Sequence, residues 1–192
     1  VRFHRGNGHL PDGELPFVKP GDMEVVARDI DFLGVNYYSR AIVRSAHVPE
    51  ADNLPPTAVA SEAKTDMGWE VWPEGLLAIL RRVHADYRPK RMYITENGAA
   101  FDDAPGEDGR VHDTRRRDFL RGHLDAARRA CEEGIPLRGY FLWSLLDNYE
   151  WAHGYAKRFG VVWVDYETQQ RIPKESAKWY REVIRANALP EG

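Results

Sequence analysis

Three short apolar segments of this chain each end in a cluster of polar and aromatic residues. They lie within residues 31–40, 91–98 and 139–145. Apolar runs of this length, rich in aromatic and β-branched residues, are typical of buried strands. The first run has Gly34 inside it and is typical of a strand buried on both faces. We therefore predict three strands whose polar residues gather at their carboxyl ends.

Apolar residues at helical spacing follow each predicted strand. Pro73 suits a first helical position, and Pro89 predicts that this helix ends near residue 87. Asp113 is a candidate N-cap for the next helix, and Gly134 would stop it. Pro173 and Glu175 open the last helix. The predicted inner faces of the three helices are, in turn, Leu76, Leu80, Val83 and Tyr87; Leu120, Leu124, Ala127 and Cys131; and Ala177, Tyr180 and Ile184.

The remaining segments are predicted as loops and short elements. Residues 1–28 form a lead-in with a short helix from an Asp22 N-cap to about Arg28. Residues 40–48 could extend as a strand, and 49–66 form a long loop. Residues 99–112 are predicted as a solvated acidic loop, and residues 161–165 as a short extended run.

The order of strand, long loop and helix occurs three times. This order argues for an α/β fold with parallel strands and crossover helices. In a (β/α) barrel the carboxyl ends of the strands form the face where chemistry occurs, and a doubly wound open sheet binds ligands there too. Periodicity alone does not separate these two folds.

Composition narrows the classes of partner. Among 192 residues, 27 basic and 30 acidic side chains leave a net charge of −3. This balance predicts no binding to nucleic acid or an anionic membrane, and no window holds the roughly 20 apolar residues that span a bilayer. The single cysteine, Cys131, favours a reducing compartment, so we predict a cytoplasmic protein, and a core position for its side chain. The chain begins with Val1, and we expect it to be part of a longer protein.

Glu96 is the first candidate for chemistry because it ends the second strand, in RMYITENG. A carboxylate at the tip of a buried strand is costly unless it is paired, which favours a functional role; capping of the following turn is the alternative. The acids of 99–112 lack calcium-loop spacing, and His153 has no second histidine at metal-ligand spacing. We therefore predict no metal and no cofactor.

Four motifs in series resemble glycoside hydrolase family 1, the β-glucosidase family. They are NYY, TENG, WSLLDNYEW and GYAKRFG, and the likeness runs from about residue 29 to the C-terminus. The resemblance implies a (β/α)8 TIM barrel. Residues 29–192 would be its last three strand-helix units and residues 1–28 the lead-in, so that the chain is the C-terminal part of one barrel and is incomplete on its own.

The same resemblance implies roles for eight side chains. Glu96 matches the nucleophile of a retaining mechanism, and Tyr38 matches the residue that contacts it. The matched sugar-binding residues are Asn36, Glu150 and Trp151 at the glycone, Trp143 beneath it, Phe159 closing the pocket and Trp69 on the aglycone side. For the aromatic residues, core packing is the alternative interpretation.

The resemblance also narrows the substrate. The phospho-β-glycosidase branch has serine and tyrosine where this chain has Glu150 and Phe159, and Lys157 stands where that branch binds phosphate. We interpret Lys157 as a surface charge and predict an unphosphorylated β-glucoside or related oligosaccharide. Glucose, galactose and fucose are not distinguished.

One required group has no match in the sequence. A retaining glycosidase needs a second carboxylate as acid/base, which the family carries in a Thr-Asn-Glu-Pro type motif. No such motif occurs here. We therefore predict that the chain supplies the nucleophile and glycone residues, is inactive alone, and pairs with an N-terminal barrel portion that carries the acid/base. The alternative is a non-catalytic carbohydrate-binding or self-associating fragment of such a barrel.

Overall fold

The structure, a computed structural model, describes residues 6–9, 15, 17–42 and 61–190. The chain divides into two compact units, Val1–Asp31 and Phe32–Gly192. The predicted extension over 40–48 and the long loop over 49–66 fall largely on residues 43–60, outside the described part. Within the described part, no helix is long and apolar enough to cross a membrane.

In the first unit, described over residues 6–9, 15 and 17–31, the lead-in carries the helix α1 (Asp22–Val26). Its N-cap is Gly21, whose φ of 91° suits glycine, so Asp22 is the first helical residue and not the predicted cap. The Asp22 carboxylate instead accepts a hydrogen bond from the backbone N–H of Lys19 at 2.8 Å. The helix ends before the predicted end near residue 28.

The second unit is built on a parallel sheet with the strand order β1-β2-β3. Its elements in chain order are β1 (Leu33–Asn36), α2 (Pro73–Tyr87), β2 (Met92–Asn97), α3 (Thr114–Glu132), β3 (Leu137–Leu142), the antiparallel pair β4 (Val162–Val164) and β5 (Arg171–Pro173), and α4 (Glu175–Ala186). The predicted parallel order with crossover helices is confirmed. Pro173, however, ends a strand instead of opening α4. β3 starts at Leu137, before the predicted residue 139, and ends at Leu142, before the predicted residue 145.

Helices α2 and α3 cover one face of this sheet. Leucines of α2 and alanines of α3 pack on apolar side chains of the strands. The buried members include Leu76, Leu77, Leu80, Val35, Met92, Ile94, Ala126, Ala127 and Ala130. Tyr87 was predicted on the inner face of α2 and is 74% exposed, because it lies in the last turn, beside the left-handed Arg88 that ends the helix.

The buried face of α3 is rotated from the predicted apolar stripe. It centres on Phe119, His123, Ala126 and Ala130, and Cys131 is exposed. Each helical residue advances about 100° around the axis, so the shift corresponds to roughly one residue. The predicted core position of Cys131 is wrong because polar residues, which an apolar pattern does not count, lie on the true buried face. Ile184 of α4 is likewise 62% exposed and lies beside an open groove between α3 and α4.

The opposite face of the sheet, here called the inner face, carries a row of aromatic side chains. Phe32 and Tyr93 lie edge to face with ring centroids 5.3 Å apart, and Tyr93 lies 6.4 Å from Phe141. Phe32 and Phe141 are 53% and 57% exposed. The first strand is therefore not buried on both faces as predicted, because nothing among the described residues covers the inner face.

Residues 99–112 also differ from the predicted solvated loop. Ala99, Ala100 and Phe101 are buried, and the Asp103 carboxylate pairs with Arg116 and Lys174. The later acids of this segment do face solvent. A loop rich in acidic residues is predicted to face solvent. Here its first part is buried instead, and its Asp103 forms ion pairs with residues distant in the sequence.

Candidate active site

The tip of β2 is out of regular register with β1. Val35 lies opposite Ile94, but the next residue, Asn36, lies opposite Glu96, so Thr95 is an extra residue on β2. Such a bulge breaks the alternation of side chains between the two faces of a strand. As a result, two consecutive side chains turn toward β1 and its continuation. The Thr95 hydroxyl donates to Asn36 Oδ1 at 2.6 Å, and the Glu96 carboxylate meets a tyrosine.

That tyrosine is Tyr38, whose hydroxyl donates to Glu96 Oε2 at 2.7 Å. Burial, then the hydrogen bond to Glu96, then the negative charges of Glu96 and Glu150 raise the pKa of Tyr38 well above its ordinary value of 10.0. Tyr38 therefore keeps its proton and remains a donor to the carboxylate. The backbone supports the same alignment, since the Tyr37 N–H donates to the Glu96 carbonyl at 3.0 Å.

A buried side chain next to Glu96 braces the three strand tips. Asn97 is fully buried; its amide donates to the Tyr37 carbonyl at 2.6 Å and accepts from the Tyr140 hydroxyl at 2.6 Å. The Trp143 N–H donates to the Asn97 carbonyl at 3.0 Å. A Cβ on Gly98 would lie 1.8 Å from the Trp143 carbonyl oxygen, so this approach requires glycine. In the sequence, Asn97 and Gly98 predict only a turn. Their bracing role depends on partners that are distant along the chain, which a local pattern does not reveal.

Three aromatic rings meet beside Glu96. The Tyr38 ring lies edge to face with Trp69 at 5.5 Å and with Phe159 at 6.1 Å, and the latter two are 6.2 Å apart. Phe159 is 3% exposed. An open cleft of about 610 Å³ passes Tyr38 and Trp69. The structure thus brings these three candidate residues together, and they form one wall.

The other four candidate residues differ in how far the described residues enclose them. Asn36 is bonded to Thr95 at the tip of β1, and Trp143 is half-buried and follows the end of β3. Glu150 is half-buried, and its charge acts on Tyr38. Trp151 is 83% exposed with a φ of 40°, so the described residues do not enclose it in the site.

Another carboxylate near the cleft is held by an arginine. Glu70 accepts hydrogen bonds from Arg40 Nε and Nη2 at 2.7 and 2.9 Å, and one from the Ser61 N–H. The Arg40 hydrogen bonds, the Ser61 N–H and the nearby positive charges lower the pKa of Glu70 to about 2, against a smaller opposing effect of burial. No local pattern predicts this pair, because its members lie thirty residues apart. Glu70 is therefore an ionised structural anion.

Two further residues considered in the sequence, Lys157 and His153, lie in the loop that follows β3. Lys157 is half-buried and donates to the Asp66 carbonyl at 2.6 Å, so it is a tether between two loops and not the predicted surface charge. His153 is exposed. Across residues 6–9, 15, 17–42 and 61–190, no group of three or more His, Cys, Asp or Glu side chains is arranged to hold a metal ion.

The arrangement of a carboxylate and tyrosine at the ends of parallel strands, beside aromatic rings, agrees with the resemblance found in the sequence. The family model described as Glycosyl hydrolase family 1 matches residues 3–189. The chain belongs to glycosyl hydrolase family 1. Members of this family are (β/α)8 barrels, and a retaining mechanism is typical of them.

Relatives of this family 1 chain are β-glucosidases. "Beta-glucosidase A" of Thermotoga maritima is 51% identical over 177 residues, covering 92% of this chain and 39% of the relative. "1,4-beta-D-glucan glucohydrolase" of Thermotoga neapolitana is 48% identical over 195 residues, covering 96% of this chain and 43% of the relative. The solved family 1 β-glucosidase of Thermotoga maritima in complex with isofagomine lactam superposes with a TM-score of 0.84 at 45% identity, over 98% of this chain and 41% of that one. The chain spans about 40% of the length of these relatives.

Proposed function

We propose that this chain contributes the nucleophile and part of the sugar-binding wall of a retaining β-glucosidase. The observation that carries the proposal is the 2.7 Å hydrogen bond from Tyr38 to the Glu96 carboxylate at the tip of β2. In this mechanism Glu96 attacks the anomeric carbon and the bond to the leaving oxygen breaks, while an acid elsewhere protonates that oxygen. Water, deprotonated by the same acid/base, then attacks the glycosyl-enzyme and releases Glu96 as a carboxylate.

Tyr38 has two tasks in this proposal. Its hydroxyl donates to Glu96 Oε2 and holds the attacking carboxylate in one orientation. Its proton is retained, so it stays a donor throughout. Its ring packs against Trp69 and Phe159, which fixes the direction of that hydroxyl. The nucleophile is thus aimed by a neutral donor that does not titrate at ordinary pH.

The remaining candidate residues would bind the sugar. Because Asn36 Oδ1 already accepts from Thr95, its side-chain nitrogen is the atom offered to a sugar hydroxyl. Glu150 would accept from neighbouring glycone hydroxyls, and its charge argues for an unphosphorylated sugar. Trp143 and Trp151 would contact the glycone, with Trp151 enclosed only when the rest of the barrel is present, and Trp69 would contact the aglycone.

We propose further that the chain is the C-terminal part of one barrel, with 29–192 as the last three strand-helix units and 1–28 leading in. The half-exposed aromatic row on the inner face supports this, because a barrel interior is filled by side chains from all its strands. Glu70 is unsuited to be the acid, since its pKa of about 2 keeps it ionised. The acid/base would then come from an N-terminal portion of the barrel. A cytoplasmic location stays a prediction.

The test compares this chain alone with a joined protein, in which an N-terminal segment from a family 1 relative precedes it and supplies the other strands. With an aryl β-glucoside, the joined protein is expected to turn over and the chain alone to remain at the uncatalysed level, because one carboxylate cannot serve as both nucleophile and acid. A folded monomer of the chain with substantial turnover would contradict the proposal. A 6-phospho-β-glucoside is expected to react more slowly than the plain glucoside.

A second candidate function is carbohydrate binding without hydrolysis, or self-association, by the chain on its own. The contact of Tyr38, Trp69 and Phe159 favours it, because these rings assemble from residues of this chain alone. Calorimetry with cellobiose and a size measurement test this function. A folded monomeric sample that binds no sugar would exclude it.

Replacing Tyr38 with phenylalanine in the joined protein is expected to lower kcat by about 10- to 100-fold, since one charge-assisted hydrogen bond contributes roughly 1.5–3 kcal/mol. Tyr87→Phe, at an exposed tyrosine, is the matched control. Parent-like kcat in the Tyr38→Phe protein would contradict the role of Tyr38.

A further inference from the structure

Six charged side chains, four of them on buried residues, meet where the loops that follow β2 and β3 join α4. We call this group the charge cluster; its cations are Arg116, Lys174 and Arg158, and its anions are Asp103, Asp113 and Asp147. The Lys174 and Asp147 side chains are 0% exposed and the Arg116 side chain is 1% exposed. Three positive and three negative charges balance, and their burial removes the screening that weakens surface pairs. None of these six residues is among the site residues predicted from the sequence.

The cluster closes the base of the β3 loop, residues 143–161. Asp147, near the start of this loop, accepts from Arg158 Nη1 at 2.7 Å and from the Gly160 N–H at 2.9 Å, near its end. Between these closing contacts lie Glu150 and, directly beside Gly160, Phe159. Asp147 therefore fixes the span of the segment that carries two of the proposed sugar-binding residues.

The cluster also binds the β2 loop, residues 98–113, to the β3 loop. Lys174 Nζ lies 2.9 Å from Asp103 of the β2 loop and 3.1 Å from Asp147 of the β3 loop. Arg116 pairs with Asp103 and donates to the Arg158 carbonyl at 2.7 Å. The β2 loop begins two residues after Glu96, and Glu150 lies within the β3 loop. These bonds therefore connect the segment that follows Glu96 to the segment that carries Glu150.

Helix α4 is attached to the same cluster. Asp113 is the N-cap residue of α3, but its carboxylate accepts from the Ser176 backbone N–H at 2.8 Å and from Arg116 at 2.7 Å. Lys174 is the residue before α4 and is held by its own N–H, which donates to the Val161 carbonyl at 2.9 Å. The ammonium of Lys174 is thus anchored on a helix start and has little freedom to follow either loop.

We propose that Lys174 is a positioning residue, which sets the distance between the Glu96 carboxylate and the glycone-binding Glu150 by tying the two loops that carry them to one buried cation. This inference rests on the proposed function. Apolar side chains of similar volume would fill the same space, but they lack the directional bonds that hold two loops in one register. The tie acts on both loops at once, because Lys174 is the one residue of the cluster that pairs with a carboxylate from each.

The test uses the joined protein with Lys174→Met and Asp103→Asn together. This pair of changes removes one cation and one anion, so the cluster stays neutral while the tie between the loops is lost. Competent sites are counted by labelling with a 2-fluoro glycoside, and kcat/KM per labelled site is measured for an aryl β-glucoside and its monodeoxy analogues. We expect kcat/KM for the glucoside to fall about 10- to 100-fold, as for other small misplacements of binding groups. The preference for the fully hydroxylated sugar is expected to shrink, which a mere loss of folded protein would not cause.

Lys178→Met is the matched control, because this lysine lies on α4 with its side chain 43% exposed and pairs with Glu175 in the preceding turn of the same helix. Asp103→Asn alone is the second variant, should the pair not fold: its amide oxygen still accepts from Arg116, and a smaller change in the same direction is expected. Parent-like kcat/KM per labelled site, with the hydroxyl preference unchanged, would overturn the positioning role. Failure of the parent joined protein to be labelled would instead count against the proposed function.

Discussion

Glu96→Gly in the joined protein is expected to lower kcat for an aryl β-glucoside by at least about 10⁴-fold. The change removes the group that forms the covalent intermediate while the acid and the sugar contacts remain, and loss of a nucleophile typically has an effect of this size or larger. Added azide is expected to restore part of the turnover. Because azide would attack from the face that Glu96 occupied, the product should be the α-glycosyl azide.

Two further measurements bear on the same residue. A 2-fluoro glycoside is expected to label Glu96 in the parent joined protein, and peptide mapping identifies the site. Glu133→Gln, at a partly exposed glutamate paired with Arg81, is the matched control and is expected to leave kcat within twofold. Label on another residue, or a Glu96→Gly protein with undiminished kcat, would exclude Glu96 as the nucleophile.

Asp147→Asn is expected to lower the free energy of unfolding of the joined protein by about 3–5 kcal/mol, the usual result of removing one partner of a buried ion pair. The amide still accepts from the Gly160 N–H, but Lys174 and Arg158 lose a buried counter-charge. Denaturant unfolding monitored by circular dichroism measures the change. Asp118→Asn is the control, because this aspartate is 67% exposed, and there we expect a change within about 0.5 kcal/mol.

The loss in free energy of unfolding caused by Asp147→Asn, here called the stability deficit, is expected to depend on pH. Burial and the charge of Arg116 already hold the pKa of Lys174 below its ordinary value of 10.5, and loss of Asp147 would lower it further. When the folded-state pKa of a lysine is depressed, the free energy of unfolding of the protein increases as the pH rises from that pKa toward 10.5. We therefore expect the stability deficit to shrink in alkaline solution. A stability deficit below about 1 kcal/mol at neutral pH would show that Asp147 is not a required counter-charge.

Local patterns predicted much of the fold. Pro73 marks the start of α2 and Gly134 follows the end of α3, because helix boundaries depend on backbone preferences of single residues. The buried side of α3 was misplaced because His123 and Arg116 lie on it. Asp103 and the Arg158 carbonyl satisfy the Arg116 guanidinium, and the Phe119 carbonyl satisfies one ring nitrogen of His123, so both residues are buried although an apolar pattern counts neither as core.

The sequence by itself determined the residue types at the strand ends: a glutamate, a tyrosine and several aromatic rings in the order typical of family 1. The tertiary structure decided how they meet. A bulge at Thr95 turns Glu96 toward Tyr38, and Asn97 and the charge cluster fix the loops around it. The physical reason is that strand register and buried ion pairs depend on contacts between residues tens of positions apart, whereas composition and spacing report only on neighbours along the chain.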